Sequence, residues 1–290
     1  MRPLSPPVES RLVYHAGALG DFITSLPAMR LWRGAAPTIL LGRPAHAALA
    51  DPPFTVTWDA GAAALAPLFS PGVTASAHPA RLCAGVRAAL VYATSTSPLA
   101  DNLRALGVRE VLRQDPFPAT RTPVVDYHLS VVGAGDAVPR VAVPADAPFT
   151  VEPGTAAIAP GSGSAAKNWP FDRFVEIALR LKRRGMSVCW IMGPAEESLA
   201  PPAGACSWKN LPLPVLAAAL SRCRLYVGND SGVTHLSAAS GCPTVALFGG
   251  SDPLVWAPRG ATVRVVTSPG NGMINLDVKS VWAACLDVVE

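Results

Sequence analysis

Short apolar runs alternate with helical patterns almost throughout the chain. Runs at 11–15, 38–41, 55–58, 88–92, 156–159, 187–191, 225–227, 244–248 and 263–266 predict strands. Stretches at 21–33, 98–106, 171–184, 214–222 and 234–240 predict helices. Strands separated by helices of this length predict an α/β fold built on parallel sheets. Between 138 and 154 the alternation lapses into VPRVAVPADAPFTVEPG. Repeated prolines block helix continuation and ladder hydrogen bonds alike, so this stretch reads as a linker between two α/β halves. The halves are expected at 1–145 and 155–270, a size at which each can hold its own core. The last stretch, 271–290, is amphipathic, with Val278, Val281, Trp282, Cys285 and Val288 on one side. It predicts a helix available to pack back across the first half.

The most informative segment is 225–249, LYVGNDSGVTHLSAASGCPTVALFG. It reads as strand, polar loop, helix and strand, with the polar loop at the carboxyl end of a strand. Ligands of open parallel sheets sit outside such strand ends, and a helix N-terminus there offers free N–H groups to an anion. Ser231 or Asp230 suits the helix cap and Gly241 its end. His235 falls in the first turn, as a phosphate donor or as a core histidine. Asn229-Asp230-Ser231-Gly232 is more polar than a cap requires.

Composition narrows the possible partners. Half of the residues (50%) are hydrophobic and 15% are charged, which excludes a disordered chain. The net charge of +4 is spread evenly over both halves, so no basic stripe predicts nucleic acid as a partner. The arginine surplus suits a phosphate-bearing substrate or an anionic membrane surface. The N-terminal MRPLSPPVES is not apolar, and nothing approaches the roughly 18 consecutive apolar residues of a membrane span; both predict a cytoplasmic protein. Six cysteines are scattered without a CxxC pair and read as reduced structural thiols.

Three further loops contain chemistry. His15–Asp21, HAGALGD, follows the first strand and opens the first long helix. Gly17 and Gly20 allow a tight turn or close approach to a ligand, but the spacing is not the dinucleotide fingerprint. Asp21 reads equally well as a helix cap or as a general base aimed into a cleft. Residues 160–170, PGSGSAAKNWP, suit a phosphate cradle: Ser162, Gly163 and Ser164 supply backbone N–H groups and hydroxyls, and Lys167 the charge. A flexible turn with a solvated lysine is the plainer alternative. At Gly193-Pro194-Ala195-Glu196-Glu197 a carboxylate could hold ribose hydroxyls, although acids are also favoured in any first helical turn. No metal site is evident from histidine or carboxylate spacing.

In order and context these segments resemble glycosyltransferase family 9, the lipopolysaccharide heptosyltransferases. The family's opening strand, Gly-Asp loop and Leu-Pro-Ala-Leu-like helix appear as Gly17–Asp21 followed by Thr24-Ser25-Leu26-Pro27-Ala28-Met29-Arg30. Its PGSG…K-x-WP segment appears as Pro160–Gly163 with Lys167-Asn168-Trp169-Pro170, and its GP-x-E loop at Gly193–Glu197. The D-S/T-G-x-x-H-L-x-A-A segment is Asp230–Ala239, continued by Gly241–Gly249 and Asp252-Pro253. Residues 35–150 have no matching motif, and Ala159 stands where the family often has His.

The resemblance implies a GT-B architecture, two Rossmann-like domains facing across a cleft, with the donor nucleotide in the second and the acceptor on the first. It implies inverting transfer without a metal or other cofactor. Asp21 would take the proton from the acceptor hydroxyl. Lys167 and the N-terminus of the Val233–Ser240 helix would stabilise the departing nucleoside diphosphate. Glu196 or Glu197 would hold the ribose, and Asp230, Ser231 and His235 the pyrophosphate side. The favoured donor is ADP-heptose and the acceptor a glycan such as lipopolysaccharide core, with membrane contact at most peripheral, at the inner face. Two other readings stand beside it: a nucleotide-sugar-binding protein without transfer activity, and a sugar-nucleotide epimerase of the same fold.

Overall fold

The computed structural model describes residues 9–72, 77–133, 137–145, 148–196, 199–270 and 272–290. Contacts divide the chain into two units, Met1–Thr120 with Val124–Ala137, and Arg121–Pro123 with Val138–Glu290.

In the first unit the order is β1 (Ser10–His15), α1 (Leu19–Arg33), β2 (Thr38–Gly42), α2 (Pro44–Ala47), β3 (Val56–Asp59), α3 (Ala77–Cys83), β4 (Val86–Tyr92), α4 (Leu99–Ala105), β5 (Glu110–Gln114) and α5 (Val124–Ser130). The strands form one parallel sheet in the order β3-β2-β1-β4-β5. The second unit continues with β6 (Ala156–Ala159), α6 (Phe171–Arg183), β7 (Val188–Met192), β8 (Cys206–Lys209), α7 (Leu213–Leu220), β9 (Leu225–Asn229), α8 (Gly232–Ala239), β10 (Thr244–Phe248), α9 (Pro253–Trp256), β11 (Val263–Thr267) and α10 (Val278–Val289). Its parallel sheet runs β11-β10-β9-β6-β7-β8. Both units are Rossmann-like, as the alternation of runs predicts.

Strands covered on both faces should read as continuous apolar runs, and β2 (TILLG) and β10 (TVALF) are buried at every position. β5 (EVLRQ) and β8 (CSWK) differ: they lie at sheet edges, with Glu110, Leu112, Cys206 and Lys209 exposed and Val111 and Trp208 half-buried. Polar residues interrupt both, so no apolar run announces either of them, whereas the edge strands β3 (VTWD) and β11 (VRVVT) keep enough apolar positions to be read. Helix α6 buries Phe174, Ile177, Ala178 and Leu181, the i, i+3, i+4, i+7 stripe of a helix lying on a sheet. The second core gathers Trp169, Phe174 and Trp190 around the inner strands.

Three sequence expectations meet a more specific outcome. Helix α10 spends its apolar face on the second unit, burying Val281 and Cys285 in that core. The proline-rich stretch is tied to the second unit through its free backbone groups: the Val141 N–H donates to Ala239 O, and Arg222 donates to Ala145 O. Cys83, Cys223, Cys242 and Cys285 are buried free thiols, but Cys189 and Cys206 form a disulfide, which corrects the reading of six reduced thiols. These two stand directly opposite each other on β7 and β8, with Cα atoms 4.6 Å apart. Sequence spacing hides the pair because strand register creates it.

Candidate functional site

Each sheet starts at an inner strand, builds outward to one side, then returns to build the other. The reversal lies between β1 and β4 in the first sheet and between β6 and β9 in the second. Loops leaving the carboxyl ends of such strand pairs diverge and open a crevice where ligands bind.

At the second sheet's reversal the crevice is a polar network. Lys167 ends a turn of 3₁₀ helix, and its Nζ donates to Asp230 Oδ2 at 2.7 Å. The Asp230 side chain is 8% exposed and that of Lys167 35%, so a nearly buried carboxylate holds a half-exposed ammonium. Ser251 Oγ donates to the same Oδ2 at 2.5 Å. Asn229 binds the two loops together: its Oδ1 accepts from the Trp169 N–H at 3.0 Å and its Nδ2 donates to Pro160 O at 2.7 Å. Ser231 caps α8 by accepting from the Thr234 N–H, and Gly232 opens the helix. A helix's first N–H groups lack intrahelical acceptors, and here they begin one residue after the Asp230 that holds Lys167.

Other candidates fall at this edge with altered duties. The Ser162 hydroxyl faces Ser164 O at 2.8 Å and Asn168 Oδ1 at 2.7 Å while accepting from the Ser164 N–H, so it shapes the loop. Gly163 and Ser164 form the exposed outer turn. Glu196 is buried, and its Oε2 accepts from the Gly193 N–H at 2.8 Å. A Cβ placed on Gly161 would stand 2.2 Å from Glu196 Oε1, so the carboxylate crosses from the β7 loop onto the β6 loop and only glycine fits beneath it. Glu197 lies outside the described residues. His235 is buried; burial lowers its pKa, Asp230 opposes that and Lys167 adds to it, which leaves a neutral imidazole beside the ion pair.

Beside the pair lies a cavity of about 700 Å³, lined among others by Ala166, Gly250, Ser251, Asp252 and Thr267. Asp252 is engaged by the Arg121 guanidinium through both oxygens, which lowers its carboxyl pKa. Neither Ser251 nor Arg121 is evident as a site residue from sequence. The available signal is a serine directly before Asp252-Pro253, at the end of an apolar run.

Asp21, Gly17 and Gly20 gather at the corresponding edge of the first sheet. Asp21 Oδ2 accepts from the Ala18 N–H at 3.2 Å, closing the start of α1, so the cap reading is realised. A Cβ on Gly17 would stand 3.0 Å from the His15 ring and 3.2 Å from Asp21 Oδ2. Beneath this loop the fold assembles histidines that are far apart in sequence. The His15 ring meets Phe22 and Tyr92 edge-on, His46 meets Phe22, and His128 meets Tyr92. Burial drives His15 down to about 3, with His128 and His46 contributing. Burial also drives His46, beside Arg43, and His128 down to about 4. His15 Nδ1, His46 Nδ1, His128 Nε2 and Tyr92 Oη have no hydrogen-bond partner among the described residues. Among those residues no group of three or more His, Cys, Asp or Glu is arranged to hold a metal ion.

Two Rossmann-like units, one with a lysine–aspartate pair beside a helix N-terminus at its reversal point, define an α/β protein of the GT-B fold class. The chain belongs to glycosyltransferase family 9 (heptosyltransferase), which residues 136–282 match. It is 30% identical over 112 residues to lipopolysaccharide heptosyltransferase 3 of Escherichia coli, an alignment spanning 35% of this chain and 33% of that relative. The chain thus matches about a third of that relative's length. Its fold is similar to a family 9 glycosyl transferase from Veillonella parvula, with a TM-score of 0.75, 17% identity and 97% of each chain covered. It is also similar to the E. coli heptosyltransferase WaaC with ADP, with a TM-score of 0.71, 16% identity and 96% and 99% coverage of this chain and that one.

Proposed function

We propose that this chain is an inverting, metal-independent glycosyltransferase that moves heptose from ADP-heptose to a hydroxyl of a glycan acceptor such as lipopolysaccharide core. The observation that supports this most is the Lys167 ammonium, 2.7 Å from a nearly buried Asp230 at the start of α8. A cation and a helix N-terminus at one strand end suit the two phosphates of a leaving nucleoside diphosphate. The structural neighbour that holds ADP favours an adenosine donor.

In this scheme the acceptor oxygen bonds to the anomeric carbon as the bond from that carbon to the diphosphate oxygen breaks. The acceptor's proton passes to the Asp21 carboxylate, and the electron pair of the broken bond stays on the diphosphate. Lys167 and the first N–H groups of α8 disperse that charge, and Glu196 orients the ribose. A lipid-linked acceptor would bring the protein to the inner face of the cytoplasmic membrane. No helix among the described residues is long and apolar enough to cross one.

The test is incubation with ADP-heptose and a lipopolysaccharide core oligosaccharide, followed by NMR of the anomeric centre. Release of ADP with an inverted linkage, unaffected by a chelator, is expected. Retention of configuration, or loss of transfer on chelation, would refute the mechanism. A donor sugar altered without any acceptor would mark an epimerase.

A further inference from the structure

We propose that Ser251 is a positioning residue that makes Lys167 available to the diphosphate, a role resting on the reading of Lys167 as the diphosphate's cation. The two donors, Lys167 Nζ at 2.7 Å and Ser251 Oγ at 2.5 Å, converge on a single oxygen, Asp230 Oδ2. A hydroxyl donating to a carboxylate at this separation makes one of the stronger hydrogen bonds available in a protein. Ser251 has one O–H, and it is committed here. Lys167 has three N–H donors, of which the Asp230 contact uses one.

Asp230 is nearly buried, so its charge must be met by whatever donors surround it. With Ser251 in place, the ammonium supplies part of that compensation. Without it, Lys167 carries a larger share and is drawn more tightly onto Asp230, away from an incoming phosphate. The chain is shaped to deliver the hydroxyl. A Cβ on Gly250 would stand 3.2 Å from Ala166 O and 3.4 Å from Lys167 Cγ, so the loop after β10 lies hard against the lysine stem. Ser251 follows immediately and also lines the cavity beside the pair. It therefore sits between the ion pair and the space open to a ligand. Its position lets it tune Lys167 without needing to touch the phosphate itself.

Calorimetric titration with ADP tests this on five proteins: the native chain, Ser251→Ala, Ser251→Thr, Lys167→Ala and the Lys167→Ala/Ser251→Ala double variant that completes a cycle. Ser251→Ala is expected to weaken ADP binding about tenfold, because an ammonium held more tightly by Asp230 gives up part of its interaction with the phosphate. Ser251→Thr, which keeps the hydroxyl, should stay within about twofold of native. In the Lys167→Ala background the serine change should add almost nothing, because the lysine through which it acts is gone. Native-like affinity in Ser251→Ala, or an equal loss in both backgrounds, overturns the proposal while leaving the diphosphate site standing. Failure of the native chain to bind ADP, GDP or UDP overturns the site assignment and this role together.

Discussion

The reversal points of the two sheets occupy the same place in the same kind of fold, yet their polar groups are arranged in opposite ways. In the second unit, polar side chains meet one another: Lys167 and Ser251 converge on Asp230, Asn229 ties two loops, and Ser162 folds its own loop. In the first unit, buried polar atoms of His15, His46, Tyr92 and His128 face ring edges and lack partners among the described residues. The first arrangement fixes a charge in place before a ligand arrives. The second keeps three imidazoles neutral beneath the loop that presents Asp21. The difference suits a division of labour in which one unit grips a fixed diphosphate and the other receives a proton.

The sharpest way to break this comparison is at Asp21. Asp21→Asn should lower turnover by about 10²–10⁴-fold, the usual worth of a positioned base. ADP affinity should stay near native, since the proposed diphosphate site lies in the other unit. A matching fall in ADP affinity would show that Asp21 holds the donor. The Ala18–Asp21 cap makes an unfolding curve of the variant a necessary companion measurement.

Acid should separate the units next. An unfolded chain's histidines take up protons below about pH 6.5, whereas His15, His46 and His128 resist protonation until about 3 to 4 in the fold. Between those limits the unfolded state binds more protons, so stability falls as pH falls. Each proton that the fold withholds from a histidine costs about 1.4 kcal/mol for every tenfold rise in acidity. Across this range the loss should reach several kcal/mol. Denaturant unfolding at a series of pH values would read it, and His128→Gln should flatten the slope. A flat profile in the native chain would mean that these rings are not buried neutral.

At the second unit, Lys167→Ala should weaken ADP binding roughly tenfold or more, the cost of losing a charged donor. It leaves Asp230 with fewer donors, so a drop in thermal stability should accompany it. Unchanged ADP affinity would remove Lys167 from the site. The smallest effect is expected from Ser162→Ala. Its hydroxyl orders the loop through Ser164 and Asn168, so ADP affinity should fall only a few-fold; a loss as large as that of Lys167→Ala would make the hydroxyl a direct ligand.

The inner strands were legible because burial on both faces demands apolar runs, as in Thr38–Gly42 and Thr244–Phe248. Edge strands β5 and β8 were not, because Glu110, Arg113 and Gln114 in one and Ser207 and Lys209 in the other break the apolar pattern. In the candidate site, Lys167, Asp230 and Ser231 could be read from local pattern, because one strand–loop–helix segment sets each loop. Ser251 could not: its partner lies 21 positions away and is reached only once β9 and β10 pair. The histidine cluster was hidden for the same reason, with members contributed by β1, α2 and α5.

Gly161 and Glu196 share one volume: a methyl group at 161 and the carboxylate of 196 cannot both be present in the observed arrangement. Substitution there is therefore a joint choice rather than two separate ones. Any redesign of this edge that enlarges position 161 evicts the acid that closes the β7 loop. A library varying position 161 alone would sample mostly misfitting pairs, whereas one that shortens 196 as it enlarges 161 would search the combinations this edge can hold.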